Sequence, residues 1–300
     1  MTEAPGHIRV ATRKSPLALA QSGQIANRLG DAELVGVDTD NEPGDKERFV
    51  RGVELTVLNG RAELGVHSAK DLPGEMTGGL EIAAVPLRED ARDVWIGPGT
   101  SLADIPQGSR VGTVSLRRRA QLLALRPDLV PVELRGNVDT RLAKLRAGEV
   151  DAIVLAMAGL KRLEREGEVS FAFGLDEMVP SAGQGALVVQ SRSGNAASTG
   201  APDLNDEDSE RTLLAERAAV VGLGADCSSP VGIHARIEND RLRIDGFIGL
   251  ADGSEWVRDR VDGELSRPEE LGQELARRMA LAGGADILAR AQEGFDGPPV

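Results

Sequence analysis

The chain has 300 residues, of which 41% are hydrophobic and 2% aromatic, so its length favours two or three domains with cores of aliphatic side chains. The formal net charge of −13 argues against general nucleic-acid binding, because contact with phosphates needs a positive surface. The sequence has neither a run of about 18 apolar residues nor a signal-peptide pattern, so we expect no membrane-spanning segment and a cytoplasmic location.

The first predicted unit is a short strand followed by a helix. Residues 8–12 are typical of a buried strand, and apolar residues then recur at helical spacing from Leu17 onward. Ser15 followed by Pro16 is a typical helix start, since serine caps the helix and proline fits its first position. Arg13 and Ser15 therefore lie at a strand-to-helix junction, where backbone N–H groups can bind a carboxylate.

The next predicted segment ends in a short polar stretch. A strand is expected at residues 35–37, a polar loop at 39–48, and then a helix. Residues 64–67 form the following strand, and Lys70 and Asp71 come shortly after it. Because ligands bind at the carboxyl ends of strands in open α/β sheets, Lys70 and Asp71 are candidate site residues. Taken alone, Asp71 is more typical of a helix N-cap or a solvated turn than of a catalytic group.

The same alternation returns in the middle of the chain. Strands are expected at residues 110–113, 132–134 and 152–155, and helices at 117–125 and 138–147. This spacing predicts a second α/β unit. A further apolar strand is expected after residues 181–185, and the Gly-, Ser-, Asn- and Asp-rich residues 191–208 are typical of a linker.

A third unit is predicted after that linker. Its expected elements are a helix at 210–223, strands at 232–237, 242–250 and 256–262, and a helix at 268–282. The tail after Ala291 is expected to fray.

A basic segment interrupts this acidic chain. Between Arg110 and Arg146, eight arginines and one lysine stand against three acidic residues, a net charge of +6. Such a segment is either a solvated helix face or a binding surface for a small polyanion. The residues alone leave both interpretations open.

The sequence contains one cysteine, Cys227, in a Gly-Ala-Asp-Cys-Ser-Ser-Pro stretch that is typical of a loop. One cysteine excludes an internal disulfide framework, and a lone cysteine is usually a small buried hydrophobic residue. The three histidines are far apart in sequence and do not show the spacing of metal ligands. We therefore expect no metal site.

Five separated segments, in order, resemble the hydroxymethylbilane synthase (porphobilinogen deaminase) family. Each segment alone is a weak signal, whereas the ordered set, extending from about Ile8 to Ala289, is specific. The stretch around Cys227 also resembles that family's cofactor loop. The five segments are residues 11–19, 66–73, 112–118, 134–142 and 180–186.

The resemblance implies a transferase that condenses four porphobilinogens head to tail and releases one ammonia each time, giving linear hydroxymethylbilane for tetrapyrrole biosynthesis. It implies a dipyrromethane primer, one per chain, bound to Cys227 by a thioether. Asp71 matches the family's catalytic carboxylate. A fixed negative charge there would stabilise the cation left by deamination and could move protons.

The resemblance also implies which side chains bind the carboxylates of the cofactor and the growing chain. Arginine suits this task because it binds carboxylates with two parallel hydrogen bonds and keeps its charge. The expected cofactor-binding residues besides Cys227 are Ser15, Lys70, Ser115, Arg117, Arg118 and Arg135. The expected substrate-binding residues are Arg13, Arg141, Arg162 and Gln184. Arg119, Arg126 and Arg146 have no match in the family and are expected to face solvent.

One segment departs from the family pattern. Family members have a longer loop before the second helix, whereas this chain has residues 38–49, in which Lys46 matches one family lysine. That loop covers the active site in the family, so the departure concerns gating and elongation. It leaves a degenerate, inactive relative as one alternative.

The resemblance implies three α/β domains, the first two arranged like the lobes of type 2 periplasmic binding proteins. The expected domains are residues 1–87 with 183–203, residues 88–182, and residues 204–300, the last a small α/β domain with a three-stranded sheet. A non-catalytic bilobed module that binds small anions is the second alternative, and it would need neither Asp71 nor Cys227. We expect porphobilinogen as the substrate, no nucleic-acid or membrane partner, and a monomer.

Overall fold

A computed structural model describes residues 7–30, 32–37, 46–74, 76–226 and 228–293, with the side chains of residues 46–49 left out. The strands are β1 (Arg9–Arg13), β2 (Glu33–Val37), β3 (Leu64–Ser68), β4 (Leu80–Ala84), β5 (Asp93–Ile96), β6 (Arg110–Gly112), β7 (Val130–Val132), β8 (Ala152–Ala156), β9 (Phe171–Ala172), β10 (Leu187–Arg192), β11 (Val231–Glu238), β12 (Arg241–Gly249) and β13 (Trp256–Gly263). The α-helices are α1 (Pro16–Arg28), α2 (Lys46–Leu58), α3 (Leu116–Leu125), α4 (Val138–Arg146), α5 (Met157–Arg162), α6 (Glu207–Gly222), α7 (Pro268–Met279) and α8 (Ala285–Glu293).

Tertiary contacts divide the chain into two compact units. The first unit contains Met1–Glu89 and Gly185–Leu213, and the second contains Asp90–Gln184 and Leu214–Val300. The chain therefore leaves the first unit, builds part of the second, and returns to the first before it ends in the second.

The first unit contains a five-stranded sheet in the order β2-β1-β3-β10-β4. Strand β1 pairs in parallel with β2 and β3, and β10 runs antiparallel between β3 and β4. Val10 and Ala11 of β1 belong to separate apolar clusters, because successive residues of a strand point to opposite faces of the sheet. Both faces are thus covered, and the carboxyl ends of β1 and β3 lie at the same edge.

The second unit contains a sheet of the same design, in the order β7-β6-β8-β5-β9. Strand β6 is parallel to β7 and β8, whereas β5 is antiparallel to both β8 and β9. Residues of β8 alternate between two apolar clusters, with Val154 in one and Ile153 in the other. A strand buried on both faces explains the uninterrupted apolar run of β8.

The second unit also contains an antiparallel sheet in the order β11-β12-β13. A single apolar cluster, which includes Ile233, Ile244 and Leu275, joins this sheet to its helices. The expected α/β class and the three-stranded sheet of the last domain are confirmed.

One expectation about a chain segment is wrong. Residues 191–208 are not a linker, because β10 continues to Arg192 and two short 3-10 helices follow, Ala196–Ser198 and Ala201–Leu204. Ala201 and Leu204 are buried against the core that contains Val10. The helix that begins at Pro268 ends near residue 282 as expected, because Gly283 has a non-helical φ of 102°, and a further helix that was not predicted, α8, follows this kink.

Candidate active site

Asp71 lies at the end of the short 3-10 helix Ala69–Asp71, which follows β3 directly. The N-cap position of this helix belongs to Ser68, so Asp71 does not act as its N-cap. The side chains of Asp71 and Lys70 are half-buried. Both residues thus stand at the carboxyl end of a central strand, which is where open α/β sheets bind their ligands.

Arg13 and Ser15 lie at the same edge of the first sheet, because β1 is the parallel neighbour of β3. The Ser15 hydroxyl caps α1 by accepting a hydrogen bond from the Ala18 N–H at 3.3 Å, and Pro16 occupies the first helical turn. Burial lowers the pKa of the Arg13 guanidinium, and the charge of Asp71 partly offsets that effect. The geometry therefore brings a cation, a carboxylate and a helix N-terminus together in the first unit.

The second unit has a corresponding edge where β7, β6 and β8 end side by side. Ser115 caps α3 after β6, and its hydroxyl accepts from the Arg118 N–H at 3.4 Å. Arg141 lies in α4 after β7, and Arg162 is the last residue of α5 after β8. Three neighbouring strands thus lead to three helices that carry predicted cations.

Arg117 and Arg118 begin α3 and are buried, with side chains only 4% and 8% exposed. Both bind the carboxylate of Asp93, Arg117 through Nη1 at 2.7 Å and Arg118 through Nη2 at 2.8 Å. Gln184 donates from Nε2 to the same carboxylate at 3.0 Å and to the Ala91 carbonyl at 2.7 Å. Three predicted site residues thus surround a single buried acid that sequence reasoning missed.

Arg141 is a half-buried cation without a counter-ion. None of the described residues forms an ion pair with it, and its buried Nε has no hydrogen-bond partner. Burial, with a smaller contribution from the charge of Arg118, lowers the pKa of Arg141 from 12.5 to about 10. An uncompensated buried guanidinium is the feature expected of a binding site for an anion.

The remaining predicted arginines differ in their surroundings. Arg135 is exposed and donates from Nε to Glu133 at 2.6 Å, whereas Arg162 is half-buried. Arg119 and Arg146 are exposed as expected. Arg126 was wrongly assigned to solvent, because its guanidinium binds Asp128 and the carbonyls of Leu102 and Ile105.

Cys227 and most of the short loop at residues 38–49 lie outside the described residues, so the predictions about them remain predictions. On either side of Cys227, Asp226 accepts hydrogen bonds from the N–H groups of Ser228 and Ser229 at 2.8 and 2.9 Å. Asp226 and Ser228 are exposed. The residues flanking the cysteine therefore form a polar turn between α6 and β11.

Glu216 is a second buried acid that sequence reasoning missed. This residue of α6 is fully buried, and its carboxylate accepts from the N–H groups of Gly183 at 2.6 Å and Ala235 at 2.7 Å. It thereby connects the two elements on either side of Cys227 to the segment that carries Gln184. For both acids the available signal was their place at one end of an apolar run, Asp93 just before residues 94–96 and Glu216 just after residues 213–215.

The donor set fits an anionic ligand that carries several carboxylates better than a metal ion. Candidate groups in the second unit are guanidiniums, an amide and a capped helix N-terminus, which suit carboxylates. Arg117 Nε and Arg141 Nε are buried and have no hydrogen-bond partner. In the described part of the chain, no group of three or more His, Cys, Asp or Glu residues could hold a metal ion, and no helix is long and apolar enough to cross a membrane.

Comparison with known proteins identifies relatives over nearly the whole chain. A family model described as "Porphobilinogen deaminase, dipyromethane cofactor binding domain" matches residues 8–199, and one described as "Porphobilinogen deaminase, C-terminal domain" matches residues 211–280. The porphobilinogen deaminase of Thermus thermophilus is 43% identical over 294 residues, which cover 94% of this chain and 98% of that relative. That of Campylobacter concisus is 41% identical over 304 residues, covering 95% and 98%.

Solved structures give weaker similarity. A periplasmic solute binding protein from Desulfovibrio salexigens covers 68% of this chain and 74% of its own, with a TM-score of 0.42 and 12% identity. A second one, from Pseudomonas putida with bound D-glucuronate, covers 71% and 80%, with a TM-score of 0.39 and 10% identity.

Proposed function

The chain belongs to the porphobilinogen deaminase family, and we propose that the residues at its two sheet edges carry out that family's reaction. The reaction is a transfer in which four porphobilinogens condense head to tail and each condensation releases one ammonia. Its product is linear hydroxymethylbilane, a precursor of tetrapyrroles. The assignment of individual residues rests above all on the uncompensated Arg141 cation in the second unit.

Asp71 is the proposed catalytic carboxylate. Loss of ammonia from porphobilinogen leaves a cationic methylene-pyrrole, and the Asp71 carboxylate stabilises its pyrrole N–H. The carboxyl group also moves protons, giving one to the leaving amine and accepting one from the newly joined pyrrole carbon. Arg13 lies close enough to Asp71 for the two opposite charges to attract each other.

The cations bind the acetate and propionate groups of the pyrroles. Ser15, Lys70, Ser115, Arg117, Arg118 and Arg135 are proposed to bind the dipyrromethane, which Cys227 would hold by a thioether. Arg13, Arg141, Arg162 and Gln184 are proposed to bind substrate. When bound, the dipyrromethane supplies the nucleophilic pyrrole carbon to which the first substrate is joined.

Mass spectrometry of the intact purified protein tests the assignment of Cys227. We expect an adduct of two linked pyrrole units that is lost in the Cys227→Ser variant. An unmodified native chain that nevertheless makes hydroxymethylbilane would contradict the attachment site. An unmodified chain without activity would instead favour a non-catalytic anion-binding module or a degenerate relative.

The domain division and the cellular setting are also proposals. We propose three domains with boundaries at residues 1–87 with 183–203, 88–182 and 204–300. The repeated strand order of the first two sheets and the large apolar cluster of the three-stranded sheet and its helices support this division, whereas tertiary contacts group residues 214–300 with residues 90–184. We further propose a cytoplasmic monomer, which sedimentation of the purified chain would test.

A further inference from the structure

The buried carboxylate of Asp93 is the centre of a closed polar cluster in the second unit. Asp93 begins β5 and is fully buried. Its Oδ2 accepts from Arg117 Nη1 at 2.7 Å, and its Oδ1 accepts from Arg118 Nε at 3.0 Å and Nη2 at 2.8 Å. Gln184 Nε2 also donates to Oδ1 at 3.0 Å.

Backbone carbonyls fix the outer side of the same cluster. Arg117 Nη1 donates to Val179 O at 2.8 Å, and Arg118 Nη1 donates to Val154 O at 2.9 Å. Gln121 holds Val179 in turn, donating to its carbonyl at 2.9 Å and accepting from its N–H at 2.7 Å. Each guanidinium is therefore held by one acid and one fixed carbonyl, which leaves little freedom of rotation.

The remaining N–H groups show what the cluster could bind. Nη1 of Arg117 donates to both Asp93 and Val179, whereas the buried Nε of Arg117 has no hydrogen-bond partner. One carboxylate between two guanidiniums leaves a net charge of +1, which matches one additional carboxylate. Burial alone would raise the pKa of Asp93, but the charges of Arg117 and Arg118 outweigh that effect and lower it. The acid thus stays ionised under all ordinary conditions.

We propose that Asp93 is a positioning residue that holds Arg117 and Arg118 in a single orientation for one carboxylate of the pyrrole chain. The inference rests on the proposed function, because it assigns the ligand of these arginines to the pyrroles. Asp93 itself does not contact the ligand. It acts by fixing two side chains that would otherwise repel each other in a buried position.

Intact-mass spectrometry of the folded Asp93→Asn variant tests this proposal, because Arg117 and Arg118 are proposed to bind the dipyrromethane. The amide keeps the shape and one acceptor oxygen, but it loses the negative charge that both guanidiniums share. We expect the fraction of folded chains that carry the two-pyrrole adduct to fall at least tenfold relative to the wild type. Asp151→Asn is the matched control, because Asp151 pairs with Arg110 on a more exposed part of the same sheet, and its adduct fraction should stay within twofold of the wild type.

A second variant covers the case in which Asp93→Asn does not fold. Asp93→Glu keeps the negative charge but moves the carboxylate by one methylene, so the fold should survive while both guanidiniums are displaced. A reduced adduct fraction in folded Asp93→Glu supports positioning. A wild-type adduct fraction in either folded variant overturns the proposal, even if the protein unfolds at a lower temperature. Failure of the wild-type protein to consume porphobilinogen would instead refute the proposed function.

Discussion

Replacing Arg141 with glutamine should stabilise the cofactor-free protein while weakening its binding of substrate. The drop in pKa from 12.5 to about 10 corresponds to at most roughly 3.5 kcal/mol, at about 1.4 kcal/mol per pKa unit. Contact of this half-buried side chain with solvent reduces that value, so we expect a gain of about 1–2 kcal/mol in the free energy of unfolding. Because the pKa of Arg141 is lower in the folded chain, its guanidinium binds a proton less tightly there than in the unfolded chain. The penalty is therefore complete at neutral pH and disappears only as the pH rises from about 10 to 12.5.

Urea unfolding at neutral pH measures this gain. The comparison is made in a Cys227→Ser background, so that no covalently held pyrrole compensates the charge. Arg119→Gln is the control, because Arg119 is an exposed arginine of the same compact unit, and its effect should stay within about 0.5 kcal/mol. In the cofactor-loaded protein with Cys227 intact, Arg141→Gln should raise the KM for porphobilinogen roughly 10- to 150-fold, the range for losing one charge-assisted hydrogen bond.

Two results would refute this reasoning. If Arg141→Gln destabilises the cofactor-free protein, then Arg141 stabilises the fold and is not an uncompensated cation that binds an anionic ligand. If the unfolding free energy rises but the KM does not change, the cation is uncompensated for a reason unrelated to substrate.

Two other residues of the first unit lead to predictions. Asp71→Asn should keep the two-pyrrole adduct in the intact mass spectrum yet nearly abolish turnover, because the amide cannot stabilise a cation or accept a proton; wild-type rates would remove Asp71 from its role. Burial, reinforced by the charge of Arg13 and opposed by a hydrogen bond to Gln190, lowers the pKa of His67 to about 4. The unfolded chain then binds more protons than the folded chain between pH 6.5 and 4, so the stability contributed by neutral His67 is complete above pH 6.5 and is lost on acidification. Urea unfolding across this range should show a loss of up to roughly 3 kcal/mol that is smaller in His67→Gln, and an equal slope in both proteins would contradict the assignment.

Local signals in the sequence account for the parts of the fold that were predicted. The Ser15-Pro16 helix start depends on one side chain capping the next turn, and it is present. The apolar run of β8 likewise reflects burial on both faces. Residues 191–208 were misassigned because only contact with a distant core makes Ala201 and Leu204 part of a packed segment. The Gly-, Ser-, Asn- and Asp-rich composition of this segment indicates only that it is polar, and it carries no information about a contact with a distant core.

The candidate site was likewise only partly predictable from the sequence. Local signals predicted the strands and helices that carry the arginines, whereas the resemblance to the family indicated which arginines to expect at the site. The partner of Arg117 and Arg118 could not, since Asp93 is 24 and 25 residues away and begins a strand of four residues. An arginine at the site is either available to a ligand or paired with an internal acid. Which of the two applies depends on pairing with residues distant in sequence, and only the folded chain shows that pairing.

The position of β10 affects the order in which the chain can fold during synthesis. This strand lies inside the first sheet, between β3 and β4, yet its residues come after every strand of the second sheet. The ribosome therefore completes the strands of the second sheet while β10 is still missing between β3 and β4 of the first sheet. Until residue 192 has emerged, the facing edges of β3 and β4 expose unpaired backbone groups, which is when such a chain is most prone to wrong strand pairing and most dependent on chaperones.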